Sequence, residues 1–305
     1  MHPDLLKAAG DLAAHKDTRP PVFRAEEYAK ASLYSEENFS DIEPKEGRIL
    51  FIDGGSQPLI ETPAFTIAQI RVYYAVFDYG KKLQRKVFEA HAILGEECQL
   101  FPDELKLKGK LDIDQCRRLA ELLTAEKACS LLSEGDVLCI DGSLHPKDDH
   151  RQLKALAEAC ADKGVLLAGL SKTSDMVTAD NRPVAEALSS LACRKSWAYS
   201  PCQEFTLGPS QMTTGFARFH ARARHVFRFD TTSIDAVHVI ASHCRDPSFL
   251  GYPYGLMDAD KFARISHREA EQQRLLLQLR LPKLRELSKD AHQVLDSVNT
   301  TKKFI

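Results

Sequence analysis

Two aspartates, each closing the same kind of phrase, are the residues of this chain best suited to chemistry. Asp53 ends the apolar run of Ile49-Leu50-Phe51-Ile52-Asp53-Gly54-Gly55-Ser56. Asp141 ends that of Val137-Leu138-Cys139-Ile140-Asp141-Gly142-Ser143-Leu144. Short, bounded apolar runs of this kind suit strands buried on both faces. Each Asp then falls at the carboxyl end of its strand. One Asp-Gly alone is an ordinary turn. Two, both after buried strands and both leading into Ser, point to a divalent-cation site and to phosphate chemistry. Two-metal phosphoryl hydrolysis needs several carboxylates around ions roughly 3.5–4 Å apart, and Mg²⁺ and Mn²⁺ prefer such oxygen ligands.

A third carboxylate is expected on the helix between the two phrases, read as Leu111 to Ser133. Cys116, Leu119, Leu122, Leu123, Cys129 and Leu132 recur there at helical spacing. Glu126 falls inside that stripe, and a carboxylate on a buried face is costly unless paired or metal-bound. Glu121, at the stripe's edge, is the alternative. Lys172 follows the apolar run Gly164 to Leu170 and is expected beside the carboxylates, where an ammonium stabilises charge at a phosphate.

Further along, Arg218, His220, Arg222, Arg224 and Arg228 alternate with Phe219, Ala221, Ala223, Phe227 and Phe229. Period-2 alternation puts the basic residues on one strand face, a surface for a phosphate backbone, with Arg218, Arg222 and Arg224 as the expected DNA contacts. An exposed sheet face of mixed ion pairs is the plainer reading. Asp258 is expected as the N-cap of a long helix running to Leu279. Asp260, in its first turn, is a provisional fourth metal ligand, with His267 as an alternative.

The elements that must position these residues follow from the same patterning. Arg48 to Asp53, Ala64 to Asp78 and Lys82 to Leu94 read as strands, the last two joined by Tyr79-Gly80-Lys81 as a hairpin. Asp136 to Ile140 and Gly164 to Leu170 read as buried strands, with helices at Asp148 to Asp162 and Pro183 to Cys193. Beyond residue 200 come the Arg/His stretch Phe216 to Asp230, a helix at Ser233 to His243 and the long helix. An antiparallel meander followed by strands with helical crossovers is the order of a ribonuclease-H-like α/β fold. That fold has a mixed sheet, flanking helices and additional C-terminal strands and helices. Residues 1–45, with a weak helical pattern from Leu5 to His15, read as an N-terminal arm. Residues 46–300 read as one domain, with its core at about 46–200 and further elements at about 201–300. Thr300 to Ile305 read as a tail.

Composition narrows the classes. The chain has 305 residues, 44% of them hydrophobic, enough for a sizeable core. No apolar stretch reaches the roughly 20 residues that span a bilayer, and Met1-His2-Pro3-Asp4 does not open a secretory signal. The eight cysteines include no Cys-x-x-Cys pair, which fits a reducing cytoplasm. With a net charge of −2, nucleic-acid contact must come from a local basic patch.

The chain resembles the NurA nuclease family. The likeness is carried by Phe51-Ile52-Asp53-Gly54-Gly55-Ser56, Leu138-Cys139-Ile140-Asp141-Gly142-Ser143-Leu144, Gly169-Leu170-Ser171-Lys172, and Gly251-Tyr252-Pro253 running into Asp260 and its helix. It covers roughly residues 45–290. The resemblance implies a ribonuclease-H-like core and Mn²⁺-dependent cleavage of DNA, 5′-to-3′ as an exonuclease and often as a single-strand endonuclease. It implies a homodimer working with a HerA-type hexameric ATPase in the resection of DNA double-strand break ends. Asp53 and Asp141 match the family's metal-binding aspartates, and Glu126 (alternatively Glu121) its helix glutamate. The expected centre is then Asp53, Glu126 and Asp141 around one or two Mn²⁺ or Mg²⁺ ions, with Lys172 beside them.

Two other readings compete. Actin-like and sugar-kinase ATP phosphotransferases also place Asp-Gly turns after buried strands, but in longer chains of two such subdomains. A non-catalytic subunit that binds DNA or regulates an ATPase would keep the fold without the chemistry.

Overall fold

The computed structural model describes residues 5–6, 17–101, 105–108, 110–146 and 150–287. Its strands are β1 (Lys30–Ala31), β2 (Phe39–Asp41), β3 (Ile49–Glu61), β4 (Thr66–Asp78), β5 (Lys81–Leu94), β6 (Glu97–Phe101), β7 (Leu105–Lys108), β8 (Val137–Asp141), β9 (Leu166–Ser171), β10 (Trp197–Leu207), β11 (Ser210–Arg218) and β12 (Phe227–Thr231). Its helices are α1 (Ile113–Ala128), α2 (His150–Lys163), α3 (Val184–Leu191), α4 (Ile234–Ser242), α5 (Tyr254–Ala263), α6 (His267–Arg280) and α7 (Pro282–Leu287). The chain forms two compact units. One comprises residues 1–49, 78–80 and 132–254, the other 50–77, 81–131 and 255–305. The sequence boundary at about 200 therefore falls inside a unit.

In the first unit the strands run in the order β1-β10-β11-β12-β9-β8. β8 and β9 pair in parallel, with Asp141 level with Leu170, and α2 supplies the crossover between them. β12 pairs antiparallel with β9, β11 with β12, and β10 with β11. Val137, Leu138, Cys139 and Ile140 are wholly buried, as expected of a strand covered on both faces. A cluster of Phe23, Met176, Val184, Leu188, Trp197, Tyr199, Cys202 and Phe216 fills the outer part of this unit.

In the second unit β3 to β7 follow one another as a meander. The β4–β5 hairpin turns on Tyr79 and Gly80, both at positive φ (47° and 75°). Ile49, Leu50, Phe51 and Ile52 have no exposed surface, and each such side chain contributes roughly 1.5–3 kcal/mol. α1 opens on Asp112, whose carboxylate accepts from the Gln115 amide while the Gln115 side chain accepts from the Asp112 amide.

Three expectations are corrected. The Arg/His stretch is not one strand. β11 ends at Arg218, residues 219–226 form a loop, and β12 begins at Phe227. The turn Phe219 to Ala223, closed by the Ala223 amide on the His220 carbonyl, breaks the alternation. The long C-terminal helix is two helices, broken where Ser266 caps α6 by accepting from the Glu269 amide. Asp258 lies within α5, not at its N-cap. The strand pair β10–β11 has no counterpart in the sequence reading. The helix read at residues 5–15 lies almost wholly outside the described residues, and the tail at 300–305 entirely so.

Candidate metal and phosphate site

The first acidic group belongs to the second unit. Asp53 is 6% exposed, and its Oδ1 accepts from the Gly54 amide at 2.7 Å. β3 runs on through Asp53 to Glu61, so Asp53 lies within its strand and not at the carboxyl end that the apolar run suggested. Glu121 of α1 is wholly buried and packs directly on Gly54. A Cβ placed on Gly54 would stand 2.6 Å from Glu121 Oε1, so glycine is what lets the helix carboxylate approach. Arg117 pairs with Glu121 one turn away, and Arg118 Nη1 donates to Glu121 Oε2 at 3.1 Å. Burial disfavours the Arg117 charge, but Glu121, Asp114 and Asp53 outweigh it and raise the guanidinium pKa.

Glu126 does not occupy the expected place. Five residues on from Glu121, it is turned roughly 140° around the helix and is half-buried. The buried face of α1 comprises Cys116, Leu119, Ala120, Glu121, Leu122, Thr124, Ala125 and Ala128. Most of the expected stripe is buried, and the small alanines widen the face beyond it so that it takes in Glu121.

The second acidic group belongs to the first unit. Asp141 closes β8, and Lys172 follows β9 on the parallel neighbour. Lys172 Nζ lies 2.8 Å from Asp141 Oδ2 and 5.4 Å from the ring centre of Tyr252. The Tyr252 hydroxyl donates to Asp141 Oδ1 at 3.2 Å. Asp141 is therefore gripped by an ammonium and a phenol. Behind it, Asp230 on β12 is wholly buried, and its Oδ2 accepts from the Ser143 hydroxyl (2.7 Å) and the Leu144 amide (2.9 Å). Asp230 Oδ1 accepts from the Thr214 hydroxyl and from Arg228, whose fork reaches on to Glu26. Burial works against the Glu26 charge, but Arg228 prevails and holds its pKa down at about 2.

The other expected residues lie elsewhere. Asp260 is half-exposed with Arg264 3.8 Å away. Its neighbour Asp258 is the buried one, accepting from Tyr73 and Lys82 at 2.6 Å each. His267 sits exposed in the first turn of α6. Arg218 donates to the Arg194 and Lys195 carbonyls, while Arg222 and Arg224 are exposed in the loop. Arg117, Arg118, Tyr252 and Asp230 were not singled out from sequence. The i, i+4 and i, i+3 spacing of the two arginines to Glu121, and Tyr252 within Gly-Tyr-Pro, were the available signals.

Among the described residues, no three His, Cys, Asp or Glu side chains gather into a ready-made metal cluster. The donors themselves are hard carboxylate oxygens, which suit Mg²⁺ or Mn²⁺. Glu121 is held by Arg117 and Arg118 and Asp141 by Lys172, so a divalent ion there would take the place of a side-chain cation. The donor set fits the metal that the sequence reading implies.

The NurA domain profile matches residues 47–265. The chain belongs to the NurA domain family. The NurA nuclease from Sulfolobus solfataricus is similar in fold, with 16% identity, 92% of this chain and 94% of that chain covered, and a TM-score of 0.55. A second NurA structure matches at 10% identity over 82% of this chain and 92% of its own, with a TM-score of 0.53. No curated protein matches. Both acidic groups lie within the matched NurA domain. No described helix is long and apolar enough to cross a membrane.

Proposed function

We propose that this chain is a metal-dependent nuclease that hydrolyses the phosphodiester bonds of DNA. The observation that carries the reading is Glu121, a wholly buried carboxylate packed against Gly54, next to Asp53, inside a NurA domain. A buried carboxylate needs partners, and two arginines supply them beside a second carboxylate.

In this proposal Asp53 and Glu121 in the second unit, and Asp141 in the first, are metal-binding carboxylates that take Mn²⁺ or Mg²⁺. A bound divalent ion supplies an activated water and offsets charge at the phosphate. Lys172 pairs with Asp141 and adds electrostatic stabilisation at the phosphate. Tyr252 orients Asp141 through its hydroxyl. Arg117 and Arg118 pair with Glu121 and fix its rotamer. The family resemblance extends the proposal to 5′-to-3′ exonuclease and single-strand endonuclease activity, to a homodimer, to a HerA-type ATPase partner in end resection, and to a cytoplasmic setting.

Purified protein incubated with Mn²⁺ and labelled single-stranded DNA, and separately with Mg²⁺-ATP, tests the reading. Loss of DNA with no phosphate release from ATP supports it. Phosphate release from ATP without DNA loss indicates a kinase-like protein, and neither reaction indicates a non-catalytic subunit.

A further inference from the structure

The basic surface expected at residues 218–228 is absent as a strand face, but another basic strand is present. The first seven residues of β5, Lys81-Lys82-Leu83-Gln84-Arg85-Lys86-Val87, are all exposed. Beside them Lys261 and Phe262 close α5, with Phe262 37% exposed. Three cations converge on the Phe262 ring. Arg85 Cζ lies 5.5 Å from its centre, and Lys82 Nζ and Lys261 Nζ 5.8 Å each. The ring is held in place from within the same unit. Tyr73 stacks on it at 5.1 Å and 18°, and the Tyr73 hydroxyl is fixed by Asp258.

The carboxylates nearby are already taken. Asp258 accepts from Lys82 at 2.6 Å, Glu89 pairs with Arg71 at 2.6 Å, and Asp260 lies 3.8 Å from Arg264. Among the described residues no carboxylate pairs with Lys81, Arg85, Lys86 or Lys261. Like charges gathered without a counter-charge repel one another, and an incoming anion relieves that repulsion. Phosphates alone would call for cations only. The exposed, rigidly seated aromatic ring adds a stacking face, which only an unpaired base can use.

We propose that Phe262, Arg85 and Lys261, with Lys82 and Lys81 beside them, form a platform that binds a single DNA strand. The cations track the phosphates and a base stacks on Phe262. The choice of DNA as the strand rests on the nuclease reading above.

Fluorescence anisotropy with labelled oligothymidine, in EDTA so that nothing is cut, tests the platform. Phe262→Leu, which keeps an apolar contact for Tyr73, is expected to weaken binding about fivefold to a hundredfold, and Phe262→Trp to retain it. Arg85→Gln combined with Lys261→Gln is expected to flatten the salt dependence by about 1.4, two contacts at ~0.7 each. Charge-matched changes at the exposed Lys30 and Lys154 leave both quantities unchanged. Unaltered affinity and salt slope in the double variant overturn the platform, as does tighter binding of duplex through the same residues. If those variants bind like wild type while cleavage persists, only the platform falls. If wild type binds through these residues yet cuts no DNA, only the nuclease reading falls.

Discussion

The ammonium of Lys172, just past the end of β9, lies 2.8 Å from the carboxylate of Asp141, the last residue of its parallel neighbour β8. Parallel pairing brings both residues to the same strand ends, so the contact follows from the β8–α2–β9 crossover. Lys172 is 43% exposed and Asp141 15%, so the pair contributes little to stability and its value lies in chemistry. Lys172→Gln is expected to lower the rate of DNA cleavage by ~10- to 100-fold with an unchanged melting temperature. Single-turnover cleavage together with thermal unfolding measures both.

The Gly54–Glu121 approach makes a second expectation. Gly54→Ala would place a Cβ 2.6 Å from Glu121 Oε1. The carboxylate sits at the end of a flexible side chain and gives way, so the cost in stability stays near ~1 kcal/mol. Glu121 leaves its position beside Asp53, and cleavage falls by at least ~10-fold. Wild-type cleavage in this variant would remove Glu121 from the account.

Glu121 and Glu126 also separate by direct comparison. Glu121→Gln keeps the shape and removes the charge from a wholly buried site, so cleavage is expected to be lost. Glu126→Gln, at a half-buried position, is expected to change cleavage less than about threefold. Mn²⁺ titrations of the two variants check whether the difference lies in metal requirement.

How far the sequence disclosed these arrangements depended on what kind of signal each carried. The strand of Asp141 and the first part of that of Asp53 were legible because burial on both faces leaves a continuous apolar run, and the Lys172 contact followed from strand order. The continuation of β3 from Gly54 to Glu61 was not, because Gly, Ser, Gln and Pro interrupt its pattern. The burial of Glu121 was less legible, because Ala120, Ala125 and Ala128 widen the packing face beyond the leucine stripe, and alanine adds little to a hydrophobic pattern. The basic stretch was misread because its alternation runs through a turn at residues 219–226. β10 and β11 were not recognised, since Ser, Thr, Gln and Pro interrupt their apolar residues and pairing with neighbours defines them. The Asp230 network could not be read at all, because it joins Glu26, Ser143, Thr214 and Arg228 across long sequence separations.

That network carries a stability prediction. Asp230 and Arg228 are both buried and share partners with Ser143 and Glu26. Asp230→Ala leaves the Arg228 charge short of a partner and is expected to cost about 3–5 kcal/mol. Ser143→Ala removes one hydrogen bond to a charged acceptor, about 1.5–3 kcal/mol. Chemical denaturation of both single variants and the double variant measures this. The double variant is expected to lose less than the sum, since the two share one bond.

Acid should unfold the protein in two stages. Burial lowers the His243 pKa to about 4, so the folded state resists protonation that the unfolded chain accepts. Stability is therefore full above about pH 6.5 and declines as pH falls towards 4. Glu26, held at about 2 by Arg228 against the cost of burial, contributes stability above about pH 4.5 that is lost as pH falls towards 2. Each stage is worth at most about 3 kcal/mol. Unfolding free energies measured across pH 2–7 on wild type, His243→Phe and Glu26→Gln are expected to lose the upper and lower stage respectively.

The most direct test of the central claim is cleavage of labelled DNA at saturating Mn²⁺ by wild type, Asp53→Asn and Asp141→Asn, with circular dichroism confirming the fold of each. The account predicts that wild type degrades the DNA only when Mn²⁺ or Mg²⁺ is present, and that both folded variants leave it intact. Degradation by either variant at the wild-type rate would contradict it.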